Sequence, residues 1–204
     1  MLKSVGDKSL LYVMATDAEY GSELKQHFAP LICGVGPVEA ALNTAKFFAG
    51  SKPDCVVSLG SAGSNRLEQA HVYQVSHVSY RDMDASAFGF EKGVTPFADF
   101  PATIELSPTS AKLTQASLST GANVVAGDAY SAVDADMVDM ETWSIKRVCM
   151  DFGIPLIGLR GISDGAEPVS EYSDWTRFLD VIDQRLAEAV STIEADIASG
   201  TLGI

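Results

Sequence analysis

Positive charge is scarce in this sequence. The 204 residues include 14 Lys and Arg against 27 Asp and Glu, which gives a net charge of −13. Proteins that bind DNA or RNA usually present a face rich in Lys and Arg, whereas the positive residues here are scattered along the chain. We therefore expect no nucleic-acid partner, and a small ligand that is uncharged or cationic rather than phosphorylated.

Cysteine and long hydrophobic runs are also scarce. Cys33, Cys55 and Cys149 are odd in number, widely spaced and placed in apolar runs, which predicts buried thiols rather than a disulfide framework or a metal site. No stretch approaches the roughly 18 apolar residues needed to cross a membrane, and the run 10–15 is too short for a signal-peptide core. We expect a cytoplasmic protein with no membrane partner.

Length and composition are those of one folded domain. Hydrophobic residues make up 47% of the chain and charged residues 20%, near the average for globular proteins. Because no repeat, low-complexity tract or linker interrupts the sequence, we expect a single domain over residues 1–204 with a sizeable core.

Apolar strand patterns alternate with helical patterns. Strands are predicted at 10–15 (as a first, central strand), 31–33, 54–59, 71–80, 123–126 and 154–162. Helices are predicted around 23–28, at 37–48, 108–119 and 141–152 (ended by Gly153), and from a cap at Ser173 or Asp174 onward. Residues 81–101 are predicted to form a long functional loop. This order predicts an α/β fold: a single-domain, three-layer α/β/α structure with a mixed, largely parallel central sheet.

Polar residues follow several of these strands: Asp17 and Glu19, Ser61, Asp128, and Ser163 with Asp164. In open α/β sheets, ligands bind beyond the carboxyl ends of the strands. We therefore expect these side chains to approach one another.

Several short motifs occur in a characteristic order: ATDAE at 15–19, LGSAG at 59–63, AFGF at 87–90, AGDAY at 126–130, VDME at 138–141 and RGISD at 160–164. Over about residues 10–178 the chain resembles the methylthioadenosine/S-adenosylhomocysteine nucleosidases of the nucleoside phosphorylase superfamily. The pairing of VDME with RGISD is fairly specific, whereas LGSAG alone would be weak. The resemblance implies hydrolysis of an adenine nucleoside, a nucleoside phosphorylase-like fold, no cofactor and a homodimer.

The resemblance assigns three catalytic residues. Asp164 is the acid at the purine, where a carboxyl can donate to N7 and accept from a 6-amino group, which favours adenine. Glu19 orients the attacking water, with Arg160 and Ser61 beside it. The residues alone also allow simpler roles: Asp164 could cap a turn, Glu19 could be a solvated carboxylate at a helix start, and buried Arg160 could have a structural partner.

The resemblance also assigns substrate contacts. Glu141 accepts hydrogen bonds from the ribose hydroxyls and Met140 packs under the sugar, although Glu141 could also be a carboxylate in the first turn of a helix that binds no ligand. Tyr130 stacks on the purine and backbone groups at Ser131 read its edge, although Tyr130 could equally be a core or lid residue. The other contacts surround the 5′-alkylthio group: Val35 and Trp175, with Phe88 and Pro96 from a second subunit. Ordinary core or loop packing would explain these four residues too.

Water is the expected nucleophile. Phosphorylases of this superfamily hold phosphate with arginines, one before the glycine-rich strand end and one after the first strand. This chain has Ser58 and Leu59 at the first place and Asp17, Ala18 and Glu19 at the second, which makes a poor phosphate site. The spacing of Arg66 is wrong for this purpose.

Two segments are shorter than in the family: the one between the first helix and Gly34, and the one between Tyr130 and Asp139. Because of the second shortening, the sequence does not determine which residues contact the purine. The alternatives are a phosphorylase or hydrolase of another purine nucleoside such as futalosine, and a nucleoside-binding protein without catalysis.

Overall fold

The computed structural model describes residues 1–165 and 172–204, and its strands form one mixed sheet. The strands are β1 (Leu2–Val5), β2 (Lys8–Met14), β3 (Leu31–Ile32), β4 (Cys55–Gly63), β5 (Val72–Tyr80), β6 (Thr103–Glu105), β7 (Gln115–Thr120), β8 (Met137–Asp139) and β9 (Leu156–Asp164). The helices are α1 (Pro37–Phe48), α2 (Thr142–Phe152), α3 (Tyr172–Thr176) and α4 (Leu179–Ala198).

Successive side chains of the inner strands enter two separate cores. In β2, Leu11 and Val13 belong to a core that also contains residues of α1 and α2, whereas Leu10 and Tyr12 belong to a second core that contains residues of α4. Strands with helices on both faces are apolar at every position, which explains their continuous hydrophobic runs. The predicted three-layer α/β/α fold with a mixed central sheet is confirmed.

Five strands close into a ring. Strand β4 pairs in parallel with β9, β9 pairs antiparallel with β5, and β5 and β8 both pair in parallel with β7. The ring closes where Gly63 of β4 pairs with Val138 of β8. This closure brings the carboxyl ends of β4 and β9 next to that of β8.

Several predicted elements are wrong. Residues 108–119 were expected to be helical, but they lead into β7, where buried Ala116 and Leu118 alternate with more polar positions. The segment 123–126 is not a strand, and β1, β6 and β8 were missed because three or four residues carry too little periodicity. Strand β2 is not central, because β1 and β3 both flank its outer side, while β4 and β9 lie inside the sheet.

Two helix predictions are also wrong. Around 23–28 the chain forms only the 3-10 turns Asp17–Glu19 and Leu24–Gln26, because Asp183 of α4 accepts hydrogen bonds from the amides of Gly21, Glu23 and Leu24. The C-terminal helix is divided into α3 and α4, so neither Ser173 nor Asp174 caps the long segment, and Phe178 occupies that position.

Two of the predicted helices are confirmed. Helices α1 and α2 match the predicted bounds closely, and Gly153 ends α2 in the left-handed conformation with φ of 64°. Part of the apolar surface of α1 faces outward, however, because Val38 is 74% exposed. The segment 81–101 contains only the 3-10 turn Ser86–Phe88. The three cysteines are buried and unbonded, and none of the described helices has the length and apolarity required to span a bilayer.

Candidate active site

A cavity of about 660 Å³ lies at the carboxyl ends of β2, β4, β8 and β9. Its volume is in the range of sites that enclose a small organic ligand. The lining includes seven of the residues that the sequence singled out: Glu19, Val35, Ser61, Met140, Glu141, Asp164 and Trp175. Strand ends that are distant in sequence therefore converge on one site, as the pattern of polar residues predicted.

Glu19 belongs to a short chain of hydrogen bonds at one side of the cavity. Its Oε1 accepts from the backbone N–H of Ser61 at 2.7 Å and from the Ser61 hydroxyl at 2.6 Å. The indole Nε1 of Trp175 donates to the same hydroxyl at 2.9 Å. Burial raises the pKa of Glu19, although the Ser61 bonds and the charge of Arg160 oppose the shift. The carboxyl is thus fixed in direction and keeps a proton more readily than a solvated glutamate.

Glu141 faces Glu19 from the start of α2. Its Oε1 accepts a hydrogen bond of 2.8 Å from the backbone N–H of Gly36, at the N-cap of α1. Burial and the neighbouring charge of Asp139 raise the pKa of Glu141 to about 7. Met140 lines the cavity beside it, so the VDME motif presents one carboxyl and one apolar side chain to the same space.

Arg160 is 2% exposed and binds a structural partner, Asp139. Its Nε and Nη2 donate to Asp139 Oδ2 at 3.2 and 3.0 Å, and Nη2 also donates to Ser58 and Thr142. Asp139 accepts further bonds from the Thr120 hydroxyl and from the backbone and hydroxyl of Thr142. The buried charge pair is therefore satisfied on both sides, as a buried ion pair requires.

A second, much smaller cavity of about 10 Å³ lies between Glu19, Glu141 and Arg160. Space of this size accommodates about one water molecule, provided that polar groups surround it. Ser58 and Ser61 also line it. Arg160 thus borders this small cavity rather than the large one.

Asp164 lies at the end of β9 and also lines the large cavity. The hydroxyl of Ser163 donates to its Oδ1 at 2.5 Å. Burial raises the pKa of the Asp164 carboxyl, and the Ser163 bond partly opposes this shift. The chain turns sharply at Gly165, whose φ is 113° and where a Cβ would collide with the backbone of Ser64.

Four predicted contact residues lie outside the cavity lining. Tyr130 is buried in a small apolar cluster behind the wall, and the hydroxyl of exposed Ser131 donates to the carbonyl of Asp128. Phe88 is 85% exposed and Pro96 is half-buried, both in the segment 81–101. Asp128 is exposed and does not line the cavity either.

Sequence reasoning missed one wall of the cavity. Asn123, Val124 and Val125 line it together with Arg81. The guanidinium of Arg81 donates to the carbonyl oxygens of Ser119, Asp139 and Asn123, and so fixes this wall to β7 and β8. The sequence contained a signal for two of the missed residues. Arg81 directly follows a predicted strand, and a buried Arg160 needs a carboxylate partner, which Asp139 provides.

Within residues 1–165 and 172–204, no group of three or more His, Cys, Asp or Glu side chains is arranged to hold a metal ion.

Matches to a known family and to solved structures indicate the class of protein. Residues 119–194 match the family described as the phosphorylase superfamily. Two solved structures share the fold at 20–21% identity and a TM-score of 0.77: a futalosine hydrolase mutant of Helicobacter pylori (92% of this chain and 98% of that one) and a methylthioadenosine/S-adenosylhomocysteine nucleosidase of Colwellia psychrerythraea in complex with adenine (95% and 96%).

Curated relatives define the family. The 5′-methylthioadenosine/S-adenosylhomocysteine nucleosidase of Actinobacillus succinogenes is 30% identical over 182 residues, which cover 80% of this chain and 79% of the relative. The enzyme of the same name from Haemophilus influenzae is 32% identical over 158 residues, or 68% of each chain. The chain belongs to the 5′-methylthioadenosine/S-adenosylhomocysteine nucleosidase family.

The Arg160–Asp139 pair generates a stability prediction. Asp139→Asn leaves a buried guanidinium without its counter-charge, which should reduce the free energy of unfolding by about 3 kcal/mol. Urea unfolding would measure the change. Asp151→Asn is the matched control, because it removes the carboxylate of the exposed Arg147–Asp151 pair and should cost less than about 1 kcal/mol. Equal effects of the two substitutions would contradict the prediction.

Proposed function

We propose that this chain hydrolyses the N-glycosidic bond of 5′-methylthioadenosine, S-adenosylhomocysteine or a related 5′-substituted adenine nucleoside, releasing adenine and the 5-substituted ribose. Membership of a family of N-glycosyl hydrolases supports this reaction class. The observation that carries the proposal is the convergence of Glu19, Glu141 and Asp164 on one cavity. Burial raises the pKa of each of these carboxyl groups.

The positions of these carboxyl groups suit the two ends of the scissile bond. Asp164, in its protonated form, donates its proton to purine N7 while the C1′–N9 electron pair passes to the departing base. Water adds to the oxocarbenium-like C1′ and loses its proton to Glu19. Glu141, as a carboxylate, accepts hydrogen bonds from the ribose hydroxyls over Met140. Positioned acids and bases of this kind contribute roughly 10²–10⁴-fold each.

The nucleophile in this proposal is water. The small cavity between Glu19, Glu141 and Arg160 has room for about one such molecule. A phosphate dianion there would meet two carboxyl groups. Arg66 binds the carbonyl oxygens of Val133 and Ala135, and Arg81 binds other backbone carbonyls, so both guanidinium groups are already occupied in the protein.

The first prediction concerns turnover. Purified protein should release adenine from methylthioadenosine without phosphate, and Asp164→Asn and Glu19→Gln should each lower kcat by about 10² or more with the fold intact. Base release measured over methylthioadenosine, S-adenosylhomocysteine, adenosine and futalosine identifies the preferred nucleoside.

The exposed carboxylates Asp128 and Glu23 provide matched controls, because Asp128→Asn and Glu23→Gln should keep wild-type turnover. Strict dependence on phosphate would establish a phosphorylase instead. Tight nucleoside binding without base release would establish a binding protein.

The second prediction concerns pH. With a pKa of about 7 in the ligand-free protein, Glu141 becomes the required carboxylate only as the pH rises through that value. The kcat/KM should therefore increase between about pH 6 and 8, since this parameter reports ionisations of the free enzyme. Glu141→Gln should lower kcat/KM and abolish this limb. A wild-type profile that stays flat over this range would rule out the assigned role.

We also propose a homodimer in which Phe88 and Pro96 approach the partner's cavity. Both residues lie outside the lining of their own cavity, and Phe88 is largely exposed. Val35, Val38 and Leu42 add exposed apolar surface from the cavity edge along α1. Contiguous apolar surface of this kind commonly marks an interface between proteins.

Sedimentation should give about twice the mass of the chain, and the double variant Val38→Asp, Leu42→Asp should sediment as a monomer. Phe88→Ala should raise KM for methylthioadenosine without dissociating the dimer. A wild-type protein that sediments as a monomer at assay concentrations would refute the arrangement.

A cytoplasmic location and a single catalytic domain over residues 1–204 complete the proposal. Three buried, unbonded thiols suit a reducing compartment. The five-strand ring and the packing of α4 on it support one domain, because both connect the first and last parts of the chain.

A further inference from the structure

Tyr130 places an unpaired hydroxyl in the interior. The residue is 4% exposed and packs with Val125, Val133, Ala135 and Val138. Its hydroxyl has no hydrogen-bond partner among the described residues. Native proteins pair almost all buried polar atoms, so an unpaired one needs a reason.

The Tyr130 hydroxyl lies near the Asp164 carboxyl, next to Gly63. The Tyr130 hydroxyl and Asp164 Oδ2 both lie less than 3.0 Å from the point that a Cβ on Gly63 would occupy. Only glycine leaves that point open, and Gly63 itself lines the large cavity. The other oxygen of Asp164, Oδ1, accepts the hydrogen bond of Ser163. The unpaired phenol thus lies beside the oxygen of Asp164 that Ser163 does not bind.

We propose that Tyr130 is a positioning residue for Asp164, whose Oδ2 accepts a hydrogen bond from the Tyr130 hydroxyl once Asp164 has given its proton to the purine. This inference rests on the proposed function, in which Asp164 is the acid. The hydrogen bond forms by a small side-chain adjustment around Gly63, where no Cβ stands between the two groups.

The energetic reason is the change of charge on Asp164. Proton transfer converts a neutral carboxyl into a buried carboxylate, and a hydrogen bond to an ionised acceptor is roughly twice as strong as one between neutral groups. Tyr130 can supply it, because burial and the nearby Asp164 charge raise the pKa of its phenol, which therefore stays protonated. The charged groups that face the phenol within the described residues are Asp164 and Arg81, and Arg81 remains a cation throughout the range of interest.

The test is Tyr130→Phe, which keeps the ring and removes only the unpaired hydroxyl. Without this donor the Asp164 carboxylate is less stable, so the pKa of Asp164 rises. The alkaline limb of the kcat profile should move up by about one pH unit, and kcat on the plateau should fall about 10-fold, the size expected for one hydrogen bond to a charged group. KM should change little, because the phenol lies behind the cavity wall.

Tyr12→Phe is the matched control. It also removes a buried tyrosine hydroxyl, but one that is bonded to Glu194 in the separate core that contains residues of α4. It should reduce stability and leave the pH profile in place. Tyr130→Phe, which loses no hydrogen bond, should be at least as stable as the wild type.

A second measurement does not need turnover. Carboxyl ¹³C NMR of aspartate-labelled protein, with Asp164→Asn to assign the signal, follows the titration of Asp164 itself, and its midpoint should be higher in Tyr130→Phe than in the wild type. Equal titration midpoints together with an unshifted pH profile of kcat would overturn the inference. An altered preference between adenine and hypoxanthine nucleosides without a shift of the profile would also overturn it, because the hydroxyl would then contact the base. Failure of the wild type to release adenine would instead overturn the proposed function.

Discussion

The buried pair between Arg160 and Asp139 is the interaction on which the site depends. It joins β9 to β8, and its further hydrogen bonds reach Ser58 of β4, Thr120 of β7 and Thr142 at the start of α2. A buried guanidinium needs a counter-charge, so this pair stabilises the association of these strands. Because Glu141 follows Asp139 by two residues and Asp164 follows Arg160 by four, the same pair fixes the distance between the segments that carry these two carboxyl groups.

The pair also determines the electrostatics of the cavity. Arg160 is neutralised by Asp139, so it offsets only part of the burial that raises the pKa values of Glu19 and Glu141. Asp139 itself raises both pKa values further. The cavity therefore combines carboxyl groups whose pKa values are raised, that of Glu141 to about 7, with a buried ion pair that supports them. Perturbed carboxyl pKa values of this kind are common at sites of acid and base chemistry.

The ends of recognisable strands predicted Glu19, Ser61 and Asp164 as cavity residues, and the resemblance to the nucleosidases added Glu141 at the start of a helix. The residues that sequence reasoning missed depend on distant contacts. The ring of strands closes through the pairing of Gly63 with Val138, which no local pattern encodes. Strand β7 was taken for a helix because its short alternation of small and polar residues is weak. The turns after Glu19 replaced a predicted helix because Asp183, far along the chain, accepts their amide hydrogens.

The short segment before β8 determines which residues form one wall of the cavity. Four residues separate the 3-10 turn Gly127–Ala132 from β8, so Tyr130 is held behind the wall and Val124 and Val125 form its surface. Arg81 fixes this wall through the Asn123 carbonyl. Glu19, Glu141 and Asp164, by contrast, lie on or after other strands, and the buried ion pair and α4 support those segments. The carboxyl groups and this wall therefore have separate supports.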